Sequence, residues 1–391
     1  MEKLSVEELV KLIRAVFPRQ RGDRRLGILI DIPQNSRKDH PEWQLRRTMA
    51  YEWYKVLKNR TAALGLEKIA LIAYPDVESN NADLPREAFF LEGSPPAIAH
   101  QLEDEDIDGP VPFSYIFREF QLFLAPTEYS TTAPLKNAAK QHGFRAATMP
   151  GFSSEMIPAL RIDYSEVSRR VSIIKEKVDA AEGAEVTFLV DNDKEYEMYF
   201  DLRYRTGHLS SGRFPEKGTA GNLPSGETYI VPYEGEKGDK TKTRGILPVQ
   251  LENDLVLFTV EENRAVSVEG EGDAVETERN HLQREPAYGN MAELGFGVLG
   301  DFGLAPINQV LLDEKLGFHI AFGRSDHFGG AVGPKDFSSP KEVIHLDRIY
   351  IHATQPRISV KSVVLDYPNN PKEKIIENDI YLVFQQPAQS T

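Results

Sequence analysis

His345 and Asp347 stand two residues apart in EVIHLDRIYI at 342–351. This stretch reads as a β-strand, on which side chains two apart point to the same face. A histidine and a carboxylate held side by side suit a divalent cation, with Leu346 turned to the core. A second histidine, His319, opens the apolar run FHIAF at 318–322, in which Phe318, Ile320 and Phe322 face one way and His319 and Ala321 the other. Glu314 lies five residues before His319, across Gly317. A carboxylate just before a turn can fold back over whatever the next strand holds, which is the placement of a general base beside an ion-activated water. Glu227 closes the turn-forming GNLPSGE at 221–227, where the strand-like TYIVP begins. Loops anchored on strands often display functional groups, and the spacing is not that of a phosphate-binding loop. Glu293, in NMAELGFG at 290–297, is the only charged residue between Glu285 and Asp301. Burying such a lone carboxylate is costly unless it is paired or ligates a metal.

Taken singly, each segment has an ordinary structural alternative: a surface His–Asp pair, a salt-bridged DEK turn beside a core histidine, a turn with a solvated glutamate. Together they supply two glutamates, two histidines and an aspartate, a donor set for Zn²⁺, Mn²⁺, Co²⁺ or Fe²⁺. Five ligands exceed the needs of one tetrahedral catalytic zinc and match two ions roughly 3.5–4 Å apart that share a carboxylate. Of the remaining histidines, His40, His100 and His142 fall in the other predicted domain. His208 and His281 sit in polar, loop-like stretches, and His352 ends a strand. His327, in RSDHFGG at 324–330, is nearer and stays a candidate.

The whole chain has 391 residues, 40% of them hydrophobic, which predicts two domains with ordinary buried cores. Its net charge of −14 disfavours a nucleic-acid partner. The absence of cysteine excludes disulfides, thiolate zinc sites, iron–sulfur clusters and a cysteine nucleophile. No apolar run approaches the roughly 18 residues of a membrane span. The start, MEKLSVEELVKLIRAVF, is amphipathic and carries Glu2, Glu7 and Glu8 where a secretory signal would be basic. The expectation is a cytoplasmic protein without a membrane partner.

Elements that would position these residues fall into two textures. Apolar runs at 26–30, 68–73, 120–124 and 144–148, separated by helical patterns at 41–64 and 134–142, predict an α/β N-terminal domain with a mostly parallel sheet over 1–180. A long helical pattern covers 168–181. Beyond it, strand-length runs at 186–190, 195–204, 228–231, 255–260, 265–268, 318–322, 343–351, 358–366 and 379–384 predict a mainly β (α+β) C-terminal metal-binding domain over 181–391. GEGD at 270–273 reads as a hairpin turn, and QQPAQST at 385–391 as a polar tail.

In this order, NLPSGE (222–227), AELGFG (292–297), DEKLGFHIAFG (313–323) and His345-Leu346-Asp347 resemble the aminopeptidase T family of metalloaminopeptidases. AATMPGFSSEM (146–156) and RIDY (161–164) extend the resemblance, which runs from about residue 130 to residue 350. It implies an α/β domain, a catalytic domain with two divalent metals, and a homodimer. By matching motif position, Glu227 and Glu293 would be carboxylate ligands, completed by His319, His345 and Asp347, with Glu314 as general base. One position departs. The family has a tyrosine seven residues after the first histidine, and here that position is Asp326, followed by His327. The phenol that would stabilise an oxyanion is missing there, and Asp326 would instead ligate metal or repel an anionic intermediate. A diverged branch with a similar fold resembles 2,5-dihydroxypyridine dioxygenase, and FGG at 328–330 is similar to that branch. It implies a single Fe(II) held by His319, His345 and Asp347, although Glu227 and Glu293 argue for the richer ligand set. The expected function is a metal-dependent hydrolase that removes N-terminal residues from peptides with zinc, cobalt or manganese. The alternatives are an Fe(II) ring-cleaving dioxygenase acting on a small molecule and a non-catalytic relative that binds metal or ligand.

Overall fold

The computed structural model describes residues 2–384, so the predicted tail at 385–391 lies outside the described residues. The chain divides into two compact units. One takes residues up to 166 together with 210–225, and the other takes 167–209 together with residues from 226 onward.

The first unit is built on a seven-stranded sheet, in the order Thr219–Asn222, Arg145–Thr148, Leu122–Ala125, Arg25–Ile32, Lys68–Pro75, Glu87–Leu91 and Val111–Pro112. The first five are parallel to their neighbours and the last two pairings are antiparallel. Leu26 to Ile32 is buried throughout, as expected of a parallel strand with both faces covered. Helix Val6–Val16 starts at a capping box in which Ser5 and Glu8 satisfy each other's backbone N–H groups. Helix Pro41–Lys58 has proline in its first turn and buries Trp43, Ala50, Trp53, Tyr54 and Leu57 along one face. Phe117, Phe120, Phe123 and Phe144 pack into an aromatic core on the sheet. The segment 210–225 belongs to this unit because Thr219–Asn222 pairs in parallel with Arg145–Thr148.

The second unit carries two antiparallel sheets. The larger has eight strands: Arg264–Glu269, Asp254–Glu261, Arg244–Leu251, Lys194–Asp201, Gly183–Val190, Ile358–Asp366, Glu373–Glu377 and Ile380–Tyr381. The smaller has five, in the order His345–Ile349, Phe318–Gly323, Met291–Gly297, Glu227–Ile230 and His208–Ser210. Helix Tyr164–Ala180 buries Val167, Val171, Ile174 and Val178 at helical spacing.

The stretch 270–273 is not a hairpin turn. Gly272, at φ 114°, leads into helix Asp273–Arg284, and Asp254 accepts a 3.0 Å hydrogen bond from the Ala274 N–H. Acids in its first turn and His281 and Arg284 in its last complement the helix dipole, and Val275 and Leu282 lie two turns apart on its buried side. A glycine pair between apolar runs reads as a turn, and the charged helix that follows has few apolar residues to mark it. Among the described residues no helix is long and apolar enough to cross a membrane.

Candidate metal centre

Register in the five-stranded sheet brings the candidate ligands onto one face. Glu227 stands opposite Gly297, and Tyr229 opposite Gly295. Gly295 in turn faces His319, Glu293 faces Ala321, Ala321 faces Asp347, and Gly323 faces His345. Residues directly opposite share a face, and so do residues two apart on a strand. One surface therefore presents Glu227, Tyr229, Glu293, His319, His345 and Asp347, spaced by glycine and alanine. Thr228, Leu294, Phe296, Phe318, Ile320 and Phe322 lie on the other side, and all are buried.

The small residues make room for the cluster. A Cβ on Gly295 would stand 1.9 Å from His319 Nε2, so the imidazole lies directly over that glycine. A Cβ on Gly297 would stand 2.4 Å from the Glu314 carbonyl, so the turn carrying Glu314 and Lys315 passes over Gly297 and reaches Glu227.

Glu293 joins two three-residue groups. Its Oε1 lies 3.2 Å from His319 Nε2 and its Oε2 lies 3.3 Å from His345 Nε2. Ligand atoms of Glu227, Glu293 and His319 fall within 4.8 Å of one another, as do those of Glu293, His345 and Asp347. Both imidazoles are aimed by their other nitrogen: Nδ1–H of His319 donates to the Gly317 carbonyl at 3.1 Å, and Nδ1–H of His345 to the Arg324 carbonyl at 2.8 Å. Such backbone partners fix the tautomer and leave Nε2 as the ligating atom.

These residues fit a metal on a direct observation. Each group contains one buried carboxylate oxygen with no hydrogen-bond partner, Glu227 Oε2 in the first and Asp347 Oδ1 in the second. The first is 3.6 Å from His319 Nε2 and the second 3.8 Å from His345 Nε2. Buried carboxylate oxygens are nearly always satisfied, and a cation beside each would satisfy these.

Electrostatics of the ion-free centre follow from burial and pairing. Burial works against charge on His319, yet Glu293, Asp347 and Glu227 outweigh it and lift its pKa to about 10. His345 rises to about 9 for the same reasons, with Glu293 and Asp347 overcoming burial. Burial would raise Glu293, but its two imidazole partners hold it below the usual carboxylate range. Glu227 and Asp347 are pushed up, chiefly by burial. In each group the carboxylates that raise the imidazole pKa carry the negative charge that would also hold a cation.

Lys315 is the functional candidate that the sequence reading passed over. The DEK turn read as a surface feature, whereas the Lys315 side chain is 1% exposed, with its ammonium 2.6 Å from Glu227 Oε1 and in contact with Glu314. Burial opposes its charge, and Glu227 and Glu314 more than restore it. Its signal was available: Lys315 directly precedes the apolar LGFHIAF, a setting in which a lysine is either exposed or paired. Tyr229 and His208 were also passed over. Strand alternation from Glu227 leads to Tyr229 on the same face. Its ring stacks on His208 at 5.0 Å and meets Phe328 at 4.7 Å, and Phe328 lies 5.4 Å from His345. His208 was assigned to a loop and instead lies in a short strand, donating from Nε2 to the Phe328 carbonyl at 2.8 Å.

Three sequence candidates stand outside both groups: Glu314, which contacts Lys315, and Asp326 and His327. Asp326 is half-exposed and accepts from Arg324 Nε at 2.5 Å. The His327 ring lies 5.2 Å from that of His345 and 3.8 Å from that of Phe328, on the rim.

No family model matches the chain, and no curated protein matches it by sequence. Solved structures do match. A 2,5-dihydroxypyridine dioxygenase from Pseudomonas putida KT2440 superposes with a TM-score of 0.61 at 13% identity, covering 99% of this chain and 100% of that one. Wild-type AmpT from Thermus thermophilus superposes with a TM-score of 0.55 at 14% identity, covering 97% and 99%. At these identities the likeness is one of fold, and it extends over the full length of both proteins.

Proposed function

We propose that this protein is a metal-dependent hydrolase that removes N-terminal residues from peptides, with two divalent ions of the zinc, cobalt or manganese type. The supporting observation is the division of Glu293 between two imidazoles, with an unsatisfied carboxylate oxygen in each group. Glu293 would help hold both ions, one with Glu227 and His319 and the other with His345 and Asp347. When bound, such ions polarise a carbonyl oxygen and make water acidic near neutral pH.

The chain's own residues do the rest. Glu314 accepts the proton of the attacking water and passes it to the leaving amine nitrogen. Lys315 holds Glu314 and Glu227 together, keeping the base beside the cluster. The Gly317 and Arg324 carbonyls keep His319 and His345 in register. The fold likeness to AmpT agrees with this reading.

A second reading has its own observation. Tyr229, Phe328 and His208 form an aromatic wall ending on His345, which would suit a planar substrate at a single Fe(II) held by His319, His345 and Asp347. It agrees with the likeness to the dihydroxypyridine dioxygenase. We rank it second because neither compact group contains both histidines, and both contain Glu293. Purified protein loaded separately with Zn²⁺, Mn²⁺, Co²⁺ and Fe²⁺ tests the choice. Release of amino acids from peptides supports the hydrolase. Oxygen uptake with an aromatic diol and Fe²⁺ alone overturns it.

A further inference from the structure

The sequence leaves the centre without a phenol after its first histidine, since Asp326 occupies that position. Asp326 is engaged by Arg324, and an ionised carboxylate has no proton to donate. The sheet supplies a hydroxyl from a different strand. Tyr229 follows Glu227 by two residues, so both project from the same face. Across the neighbouring strand it stands opposite Gly295, which stands opposite His319. Gly295 has no side chain and the His319 ring lies over it, so no other side chain separates Tyr229 from His319 in this row. Tyr229 is half-buried and its phenol makes no hydrogen bond to any described residue, whereas the hydroxyls of buried Tyr233, Tyr288 and Tyr350 each do.

The ring is fixed. His208 stacks on one side at an interplanar angle of 18°, and Phe328 packs against it. Phe328 is itself held by its loop: Arg205 donates to the Gly329 carbonyl at 3.0 Å, and Ser325 donates to Glu234 at 2.6 Å. A donor held on a fixed ring needs no reorganisation during reaction.

We propose that the Tyr229 hydroxyl is the oxyanion donor of this centre, taking the role left open by Asp326. The assignment rests on the hydrolase reading. In the step it serves, the water oxygen bonds to the carbonyl carbon and gives its proton to Glu314, and the carbonyl π electrons move onto oxygen. Tyr229 O–H donates a hydrogen bond to that oxygen without transferring its proton. Collapse re-forms the carbonyl, breaks the C–N bond and returns the proton from Glu314 to the amine.

The test is Tyr229→Phe, which keeps the stacked ring and removes only the hydroxyl. Zinc- or manganese-loaded wild type and variant are compared for metal content, for kcat and KM on leucine p-nitroanilide, and for affinity toward a phosphinic dipeptide analogue and free leucine. The expected result is unchanged metal content, a kcat lower by about 10²–10³, KM within about twofold, weaker binding of the phosphinic analogue and unchanged binding of leucine. A variant with wild-type kcat and analogue affinity overturns the Tyr229 assignment and leaves the hydrolase reading standing, as does a variant that loses its metal. A metal-loaded wild type that hydrolyses no aminoacyl substrate overturns both.

Discussion

Lys315 holds Glu227 by one oxygen and leaves the other open. The ammonium sits 2.6 Å from Oε1, while Oε2 has no hydrogen bond and lies 3.6 Å from His319 Nε2. A buried lysine beside a metal-type cluster can be a substitute for the ion or a clamp on its ligand. The open Oε2 makes it a clamp, since the ammonium and the half-site take different oxygens.

Lys315→Met removes that clamp and leaves half-buried Glu314 beside buried Glu227 without the ammonium between them. Breaking one partner from a buried pair costs about 3–5 kcal/mol, so the metal-free variant should melt well below the wild type. Added Zn²⁺ should raise its Tm less than it raises the wild-type Tm, because Glu227 is no longer held in place to ligate. Thermal melts with and without metal check this, and equal Tm gains in the two proteins would refute the clamp.

Glu314→Gln should retain full metal content, because Glu314 belongs to neither ligand group. Its loss as a general base should lower kcat by about 10²–10⁴. Elemental analysis beside a peptidase assay measures both, and full turnover would remove Glu314 from the mechanism.

Gly295→Ala introduces a methyl group where His319 Nε2 now lies. The imidazole must swing away. Metal affinity should fall about 10–100-fold, the scale seen when the support of a ligand is lost, with far-ultraviolet circular dichroism unchanged. Unaltered affinity would show that His319 does not ligate from this position.

Protons and metal compete at the two imidazoles. Their pKa values of about 10 for His319 and about 9 for His345 are raised above the ordinary histidine value. The stability these pairs lend the ion-free protein is therefore fully present below pH about 6.5 and is lost as pH rises through 9 to 10. At pH 8 each ion must displace a proton from its imidazole, so log affinity should rise by about one per pH unit for each ion. Calorimetric titrations in buffers of different ionisation enthalpy count the protons. Two protons released on binding a single ion would indicate one ion gripping both histidines, the dioxygenase geometry.

Asp31 provides an independent test of the first unit. It ends a central strand and accepts hydrogen bonds from the backbone of Glu128 and Tyr129 and from Trp43 Nε1. Burial outweighs these donors and lifts its pKa to about 6. Its contribution to stability is fully present below pH about 4 and is lost as pH rises through 6, a change of up to ~3 kcal/mol. Asp31→Asn should remove that component, which denaturant titrations of both proteins from pH 4 to 7 would reveal as a flatter profile. Parallel profiles would contradict it.

The site was legible where its logic was local. Alternation in HLD and FHIAF fixes which side chains share a face, and the apolar setting of Glu293 signals burial. Strand position 68–73 follows from an apolar run, and 358–366 from alternation of apolar and polar residues. What stayed hidden depended on register between distant strands. Nothing in the order of residues reveals that Gly297 lies opposite Glu227 and lets Lys315 cross over, or that Gly295 separates Tyr229 from His319. His208 reads as loop because its strand, His208–Ser210, is too short to show a period. Helix Asp273–Arg284 was missed because its charged surface leaves few apolar residues to mark a face.

Whether two cations bind on either side of Glu293 can be seen by anomalous diffraction from crystals grown with Zn²⁺ or Mn²⁺. Two peaks are expected, one among Glu227 Oε2, Glu293 Oε1 and His319 Nε2, the other among Glu293 Oε2, His345 Nε2 and Asp347 Oδ1. Crystals with saturating metal and no anomalous peak within coordination distance of Glu293 would contradict the two-ion centre.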